Sequence, residues 1–178
     1  MKFAVISCSL NPNSRSRSLA RHAEATLKAA GADVDFIDLQ EHTLPMSGPK
    51  HVWALPEVEA LNHRLKDVQG FLIAVPIYNY TVNAAAKNLI EICGGAFENK
   101  VVGFLCSAGG DASHMSVMSF ANCLMFDFRT FIIPRFVYAL KTAVDGPVVV
   151  DEKIRGRIET LSHELLRVTR ALRSDTAE

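Results

Sequence analysis

The sequence carries no excess of charge of either sign: 19 Lys and Arg stand against 19 Asp and Glu in 178 residues. Without surplus positive charge, the chain lacks the usual electrostatic footprint of a nucleic-acid binder. Without an acidic surplus, it does not match a strongly acidic carrier that docks on basic partners. Long hydrophobic runs are missing too; stretches such as Phe71 to Pro76 are far shorter than the roughly 20 residues of a membrane helix. The start, Lys2 followed by Phe3-Ala4-Val5-Ile6, reads as a strand and not as a secretory signal. The four cysteines, Cys8, Cys93, Cys106 and Cys123, form no C-x-x-C pair and sit among apolar residues. They read as buried reduced thiols. The six histidines include no H-E-x-x-H, which sets metal catalysis aside. The expectation is a cytoplasmic protein with no metal, no membrane and no nucleic-acid partner.

What is present is an ordinary globular balance, 49% apolar and 21% charged, in a length suited to one domain over residues 1–178. Short apolar runs alternate with helical periodicity. Lys2 to Cys8 reads as a strand, and Leu19, Ala23, Leu27 and Ala30 line one helix face that Gly31 ends. Strands follow at Val34–Ile37, Gly70–Pro76, Val101–Cys106 and Phe131–Ala139, the last interrupted by Pro134. Helices are expected near 56–67, from Val82 to Cys93 with Gly94-Gly95 as its end, from Ser113 to Phe128 and from Glu152 to Leu172. Asp38 to Pro56 reads as a loop, and Arg173 to Glu178 as a polar frayed tail. Five strand–helix alternations, with nearly uncharged first, third and fourth strands, imply an α/β fold: a parallel sheet with helices on both faces.

In such sheets ligands bind beyond the carboxyl ends of the strands. Three loops there are unusual. Ser9-Leu10-Asn11-Pro12-Asn13-Ser14-Arg15-Ser16-Arg17-Ser18 offers hydroxyls, amides and two arginines at a helix N-terminus, a place that favours a phosphate. Plain N-capping by Ser14 or Ser16 is the bland alternative. The loop has no glycine, so neither G-x-x-x-x-G-K-[ST] nor G-x-G-x-x-G is present. Pro76-Ile77-Tyr78-Asn79-Tyr80-Thr81 can stack on a flat ring and bond its edge. Ser107-Ala108-Gly109-Gly110 lets a ligand approach the backbone.

Together these loops resemble those of the NAD(P)H-dependent FMN reductases of the flavodoxin-like superfamily. The likeness comprises Ser9-Leu10-Asn11-x-x-Ser14-Arg15-Ser16-Arg17, a P-x-Y-N…K-N pattern from Pro76 to Lys87-Asn88, and Ser107-Ala108-Gly109-Gly110. The resemblance runs from Lys2 to about Ala139. It implies a doubly wound five-stranded parallel sheet of order 2-1-3-4-5. It assigns Ser9, Ser14 and Ser16 to an FMN phosphate, with Asn11, Arg15 and Arg17 beside them. It lays Pro76, Ile77, Tyr78, Asn79 and Tyr80 against the ribityl chain and isoalloxazine, and Ser107, Ala108, Gly109 and Gly110 at the pyrimidine edge. Two departures stand out. Asn11 occupies a place where many members have Arg, and Tyr80, Thr81, Asn83 and Ala84 replace a small residue, Ser and Pro-Gly.

The resemblance further implies hydride transfer from NADPH or NADH through FMN to a small-molecule acceptor such as a quinone, free flavin, azo compound or metal oxyanion. The competing reading is a flavodoxin-like electron-transfer or flavin-binding protein without direct NAD(P)H turnover. The apolar residues between Met115 and Phe128 cover more than one helical stripe. Phe120 and Phe126 are expected off the Val117–Ala121–Leu124–Phe128 stripe, exposed in a monomer and buried in a homodimer or homotetramer.

Overall fold

The computed structural model describes residues 1–174. Of the tail expected from Arg173 to Glu178, residues 175–178 lie outside the described residues. In chain order the elements are β1 (Lys2–Ser7), α1 (Arg15–Ala29), β2 (Asp33–Asp38), α2 (Pro56–Lys66), β3 (Gly70–Tyr78), β4 (Thr81–Val82), α3 (Ala84–Cys93), β5 (Val101–Ala108), α4 (Met118–Phe128), β6 (Phe131–Ile132), β7 (Val137–Leu140), β8 (Val144–Asp145), β9 (Val148–Val149) and α5 (Glu152–Ser174). The main sheet runs β2-β1-β3-β5, with β6 and β7 pairing successive stretches of β5; these pairings are all parallel. Counting β6 and β7 as one interrupted strand, and β4 as a short antiparallel return from β3, the order is the 2-1-3-4-5 of flavodoxin-like folds.

Strand pleating sends alternate side chains to opposite cores. Phe3, Val5, Leu72, Ala74, Val101 and Leu105 pack under α1 and α5. Ala4, Ile6, Phe71, Ile73, Val75, Val102, Phe104 and Cys106 pack under α2, α3 and α4. That double coverage is why β1, β3 and β5 read as unbroken apolar runs. α1 ends in a Schellman arrangement: Ala32 N–H donates to Leu27 O at 3.1 Å and Gly31 N–H to Lys28 O at 2.9 Å, with Gly31 at φ 79. No helix among the described residues is long and apolar enough to cross a membrane.

Three expectations need correction. The strand over Phe131–Ala139 is two strands, β6 and β7, because Pro134 cannot donate to the ladder and Arg135 takes a left-handed φ of 63. The helix expected from Ser113 begins only at Met118; the residues before it form turns. Phe120 is not off the buried stripe. It follows Val117 by three residues and precedes Leu124 by four, is 2% exposed, and meets the Phe104 ring at 5.9 Å. Phe126, on the opposite face, is 83% exposed. The β8–β9 hairpin carries no period-2 pattern long enough to announce it.

The end of α3 has a tertiary cause. Gly94 keeps right-handed helical dihedrals, so its backbone does not require glycine. Instead the Phe128 ring lies where a Cβ would stand. Gly94→Ala is expected to force that ring aside and lower stability by about 1–3 kcal/mol, read by denaturant unfolding. Gly94→Ala combined with Phe128→Leu should recover part of the loss.

Candidate functional site

At the carboxyl edge of the sheet, the three loops meet around a cavity of 490 Å³. It is lined by Ser9, Asn11, Asn13, Ser14, Arg15 and Ser16 from the first loop, by Pro76 to Tyr78, which are the end of β3 and not loop, with Asn79 of the turn after it, and by Ser107 and Ala108, likewise the end of β5, with Gly109. Three of the residues singled out in the sequence lie elsewhere. Tyr80 and Gly110 line an adjoining cleft of 290 Å³. Arg17 faces the outer side of the first loop, where its Nε lies 2.6 Å from the buried Asp38 carboxylate at the end of β2. Its charge is therefore matched within the protein. Arg15, exposed, is the arginine that lines the cavity.

The first loop organises itself through local bonds. Ser9 Oγ accepts from Asn11 N–H at 3.3 Å, and Asn11 Oδ1 accepts from Asn13 N–H at 2.9 Å, an Asx turn. Ser14 is the N-cap of α1, its Oγ accepting from Arg17 N–H at 3.2 Å. Ser14 Oγ also lies 2.9 Å from the buried Ser16 Oγ. A serine hydroxyl has one proton and two lone pairs, so capping leaves Ser14 able to donate into the cavity. The loop thus presents hydroxyls at a helix N-terminus where negative charge is favoured. Asn13, not singled out from the sequence, lines the cavity through the same Asx turn.

The second loop is a hairpin of two residues. Tyr78 pairs with Thr81 and Ile77 with Val82, while Asn79 and Tyr80 both take positive φ, 49 and 61. Such a turn favours Asn-Gly; a tyrosine at the second place carries a cost of about 1–3 kcal/mol. Tyr78, Asn79 and Tyr80 are all exposed. Beneath them, Asn83 Nδ2 donates to Cys8 O at 2.7 Å and Asn83 N–H to Pro76 O at 3.2 Å. Asn83 therefore ties the ends of β1 and β3 together, an occupation for the residue standing in place of the family's proline. Asn88 of the K-N pair works away from the cavity. It accepts from Ser47 N–H at 2.9 Å and donates to Pro45 O at 2.8 Å, pinning the long loop after β2 onto α3.

The third loop is braced from β7 by a residue the sequence did not single out. Tyr138 Oη donates to Gly110 O at 2.5 Å and lies 2.7 Å from Ser113 Oγ. The His114 ring stands edge-on to Tyr138 with centroids 6.4 Å apart. No local spacing connects Tyr138 with Gly110. At Gly109, φ is not left-handed and a Cβ would meet nothing within 4 Å. The protein's own packing does not demand glycine there; its absent side chain leaves room on the cavity wall. The strand-end thiols are not nucleophiles. Cys8 and Cys106 are fully buried, and burial pushes both well above the ordinary thiol range. Burial likewise raises Cys93 to about 11, and Cys123 is half-buried.

An anion-favouring hydroxyl loop, an exposed tyrosine–asparagine turn and an open glycine wall form one cavity fit for a phosphate-bearing flat ring such as FMN. Its volume lies within the usual range for ligand sites. The chain is 22% identical over 145 residues to an NAD(P)H-dependent FAD/FMN reductase of Geobacillus thermodenitrificans (strain NG80-2), covering 80% of this chain and 78% of that protein. It is 33% identical over 92 residues to a 2-hydroxy-1,4-benzoquinone reductase of Burkholderia sp, covering 51% of this chain and 49% of that one. The fold matches RosB, solved with 8-demethyl-8-formylriboflavin-5'-phosphate bound, at a TM-score of 0.81 and 17% identity, over 98% of this chain and 81% of that chain. The family model for NADPH-dependent FMN reductases matches residues 1–145, a span that holds all three loops and the strands that carry them; the chain belongs to that family.

Proposed function

We propose that the chain acts as one FMN-binding unit in the cytoplasm, moving two electrons from NADPH or NADH to a small acceptor such as a quinone, free flavin, azo compound or metal oxyanion. The observation that carries this reading is the convergence of the capped serine loop and the Tyr78–Asn79 turn on one cavity. Ser9, Ser14 and Ser16 hold the phosphate, with Asn11 and Asn13 shaping the loop and Arg15 supplying the cation. Arg17 acts indirectly, its pairing with Asp38 fixing the loop's outer side. Pro76, Ile77, Tyr78 and Asn79 pack along the ribityl chain and ring. Ser107, Ala108 and Gly109 offer polar groups to the pyrimidine edge, where donors favour the charge that grows on reduction, while Gly110 lines the cleft beside it.

When bound, FMN supplies the hydride chemistry, which needs no general base from the protein. This agrees with a cavity lined by hydroxyls, amides and one arginine. With FMN in the cavity these residues would orient the ring and meet the phosphate. The net reaction is NAD(P)H + H⁺ + acceptor giving NAD(P)⁺ and the two-electron-reduced acceptor. The purified protein is expected to show oxidised-flavin absorbance that either nicotinamide bleaches without oxygen, and to oxidise NADPH with menadione. Bound flavin that neither nicotinamide reduces would favour an electron carrier.

Ser14 separates cofactor binding from folding. Ser14→Ala should weaken FMN roughly 10- to 100-fold, from loss of a charge-assisted hydrogen bond of about 1.5–3 kcal/mol. It should also cost about 1 kcal/mol of stability through the lost cap. Ser14→Asp keeps a good cap but sets a carboxylate against the phosphate. It should fold normally yet bind FMN at least as poorly. Wild-type affinity in both variants, read by flavin titration, would remove Ser14 from the site.

The functional unit is proposed to be at least a homodimer, formed on the α4 face that carries Phe126. Met115 and Met118 are exposed with it, at 57% and 37%. The long loop after β2 bonds to α3 and leaves Phe126 uncovered. Sedimentation equilibrium at micromolar concentration should show a dimer or tetramer. Phe126→Asp should shift it toward monomer without loss of fold, whereas Phe120, being core, is unsuitable for that test. A dimer that persists in Phe126→Asp places the interface elsewhere.

A further inference from the structure

Beside the larger cavity, the 290 Å³ cleft runs between the Asn79–Tyr80 turn and the third loop, and Ile77 and Asn79 belong to both. One wall is Tyr80; the other is Gly110, Asp111 and Ala112. Two features of Tyr80 are unexplained by folding. Its backbone is left-handed, which side chains rarely adopt and a glycine would accept freely. Its ring is 69% exposed and its hydroxyl makes no hydrogen bond among the described residues, so packing does not hold it there. A strained residue whose side chain contributes nothing to the core points to a task outside the core. The task available to an exposed ring at a cleft mouth is to stack on a flat ligand.

The opposite wall adds charge. Asp111 is an exposed carboxylate with no ion pair among the described residues. A carboxylate at the mouth is indifferent to a neutral ring and repels an oxyanion.

We propose that this cleft is the acceptor subsite and favours a flat, uncharged ring such as a quinone over an oxyanion, with Tyr80 as the stacking wall and Asp111 turning oxyanions away. The proposal rests on the reading that the larger cavity holds FMN. It sets metal oxyanions apart from the other acceptor classes. In the net reaction NAD(P)H loses a hydride and becomes NAD(P)⁺. The quinone gains that hydride's two electrons and proton plus one proton from solvent, so both carbonyl oxygens end as hydroxyls.

The test uses FMN-loaded protein and duroquinone, whose ring positions are all methylated and add to no thiol. Calorimetric titration without nicotinamide reads binding alone. Tyr80→Gly, which removes ring and strain together, should fold at least as stably and bind duroquinone at least fivefold more weakly. Tyr80→Phe should stay within twofold of wild type. In turnover, Asp111→Asn should raise the ratio of kcat/KM for chromate to kcat/KM for duroquinone at least threefold. If Tyr80→Gly binds duroquinone like wild type, or Asp111→Asn leaves the chromate-to-quinone ratio unchanged, the proposal fails while the cofactor reading stands. A Tyr80→Gly variant that alters only the sedimentation behaviour makes Tyr80 an interface residue and also overturns it. Protein that takes up no FMN defeats the cofactor reading and this proposal with it.

Discussion

Burial of β1, β3 and β5 on both faces is the constraint from which the rest follows. Neither face can carry a polar group without desolvating it, so polarity is driven to the strand ends. The parallel pairing then sends all three carboxyl ends to one edge. Ser9 and Ser107, both buried, stand where β1 and β5 run out. Cys8 and Cys106, one position earlier, are still inside and chemically silent. The boundary between core and site is therefore one residue wide. The same rule explains Asn83, whose amide satisfies the Cys8 carbonyl just as that strand leaves the sheet.

Each loop at this edge is held by a bond from a different part of the chain. The first is held inwardly by its own hydroxyl and amide bonds, and outwardly by Arg17 on Asp38 of β2. The second is held by the β3–β4 pairing and by Asn83. The third is held by Tyr138 of β7. A site assembled this way is set before any ligand arrives, and preorganised donors act on developing charge without first reorganising. The second loop differs in kind. Its backbone is fixed, while Tyr78 lines the cavity and the Tyr80 ring stands exposed beside it.

What was legible in the sequence is what local pattern controls. Apolar runs give strands when both faces are covered, Gly31 ends α1 through its own dihedral, and the serine loop announces a helix start. What was illegible depends on residues far apart in the chain. Gly94 is glycine because of Phe128, 34 positions away, and no helix-end rule contains that. Arg17 looked like a cation for the ligand until Asp38 was seen beside it. Tyr138 braces Gly110 across 28 positions. Phe120 lies three residues after Val117 and four before Leu124, on the face of that stripe, and its ring partner is Phe104, 16 positions away. In each case the deciding partner lies in a distant part of the chain.

The capping and cofactor readings of the first loop, which compete in the sequence, are compatible in the structure. An N-cap uses a serine lone pair, and phosphate binding uses its proton. Ser14 can serve both, and α1's free N–H groups are oriented by the very cap that would share the anion with them. A glycine loop achieves the same approach by baring backbone amides, at a cost in chain entropy. This loop has no glycine and spends side-chain hydroxyls instead, so its shape must come from Asx turns and caps. That places Asn11, where an arginine would add charge, in a structural part: its carboxamide turns the chain toward Ser14. Of the loop's two arginines, Arg15 lines the cavity and Arg17 is matched by Asp38.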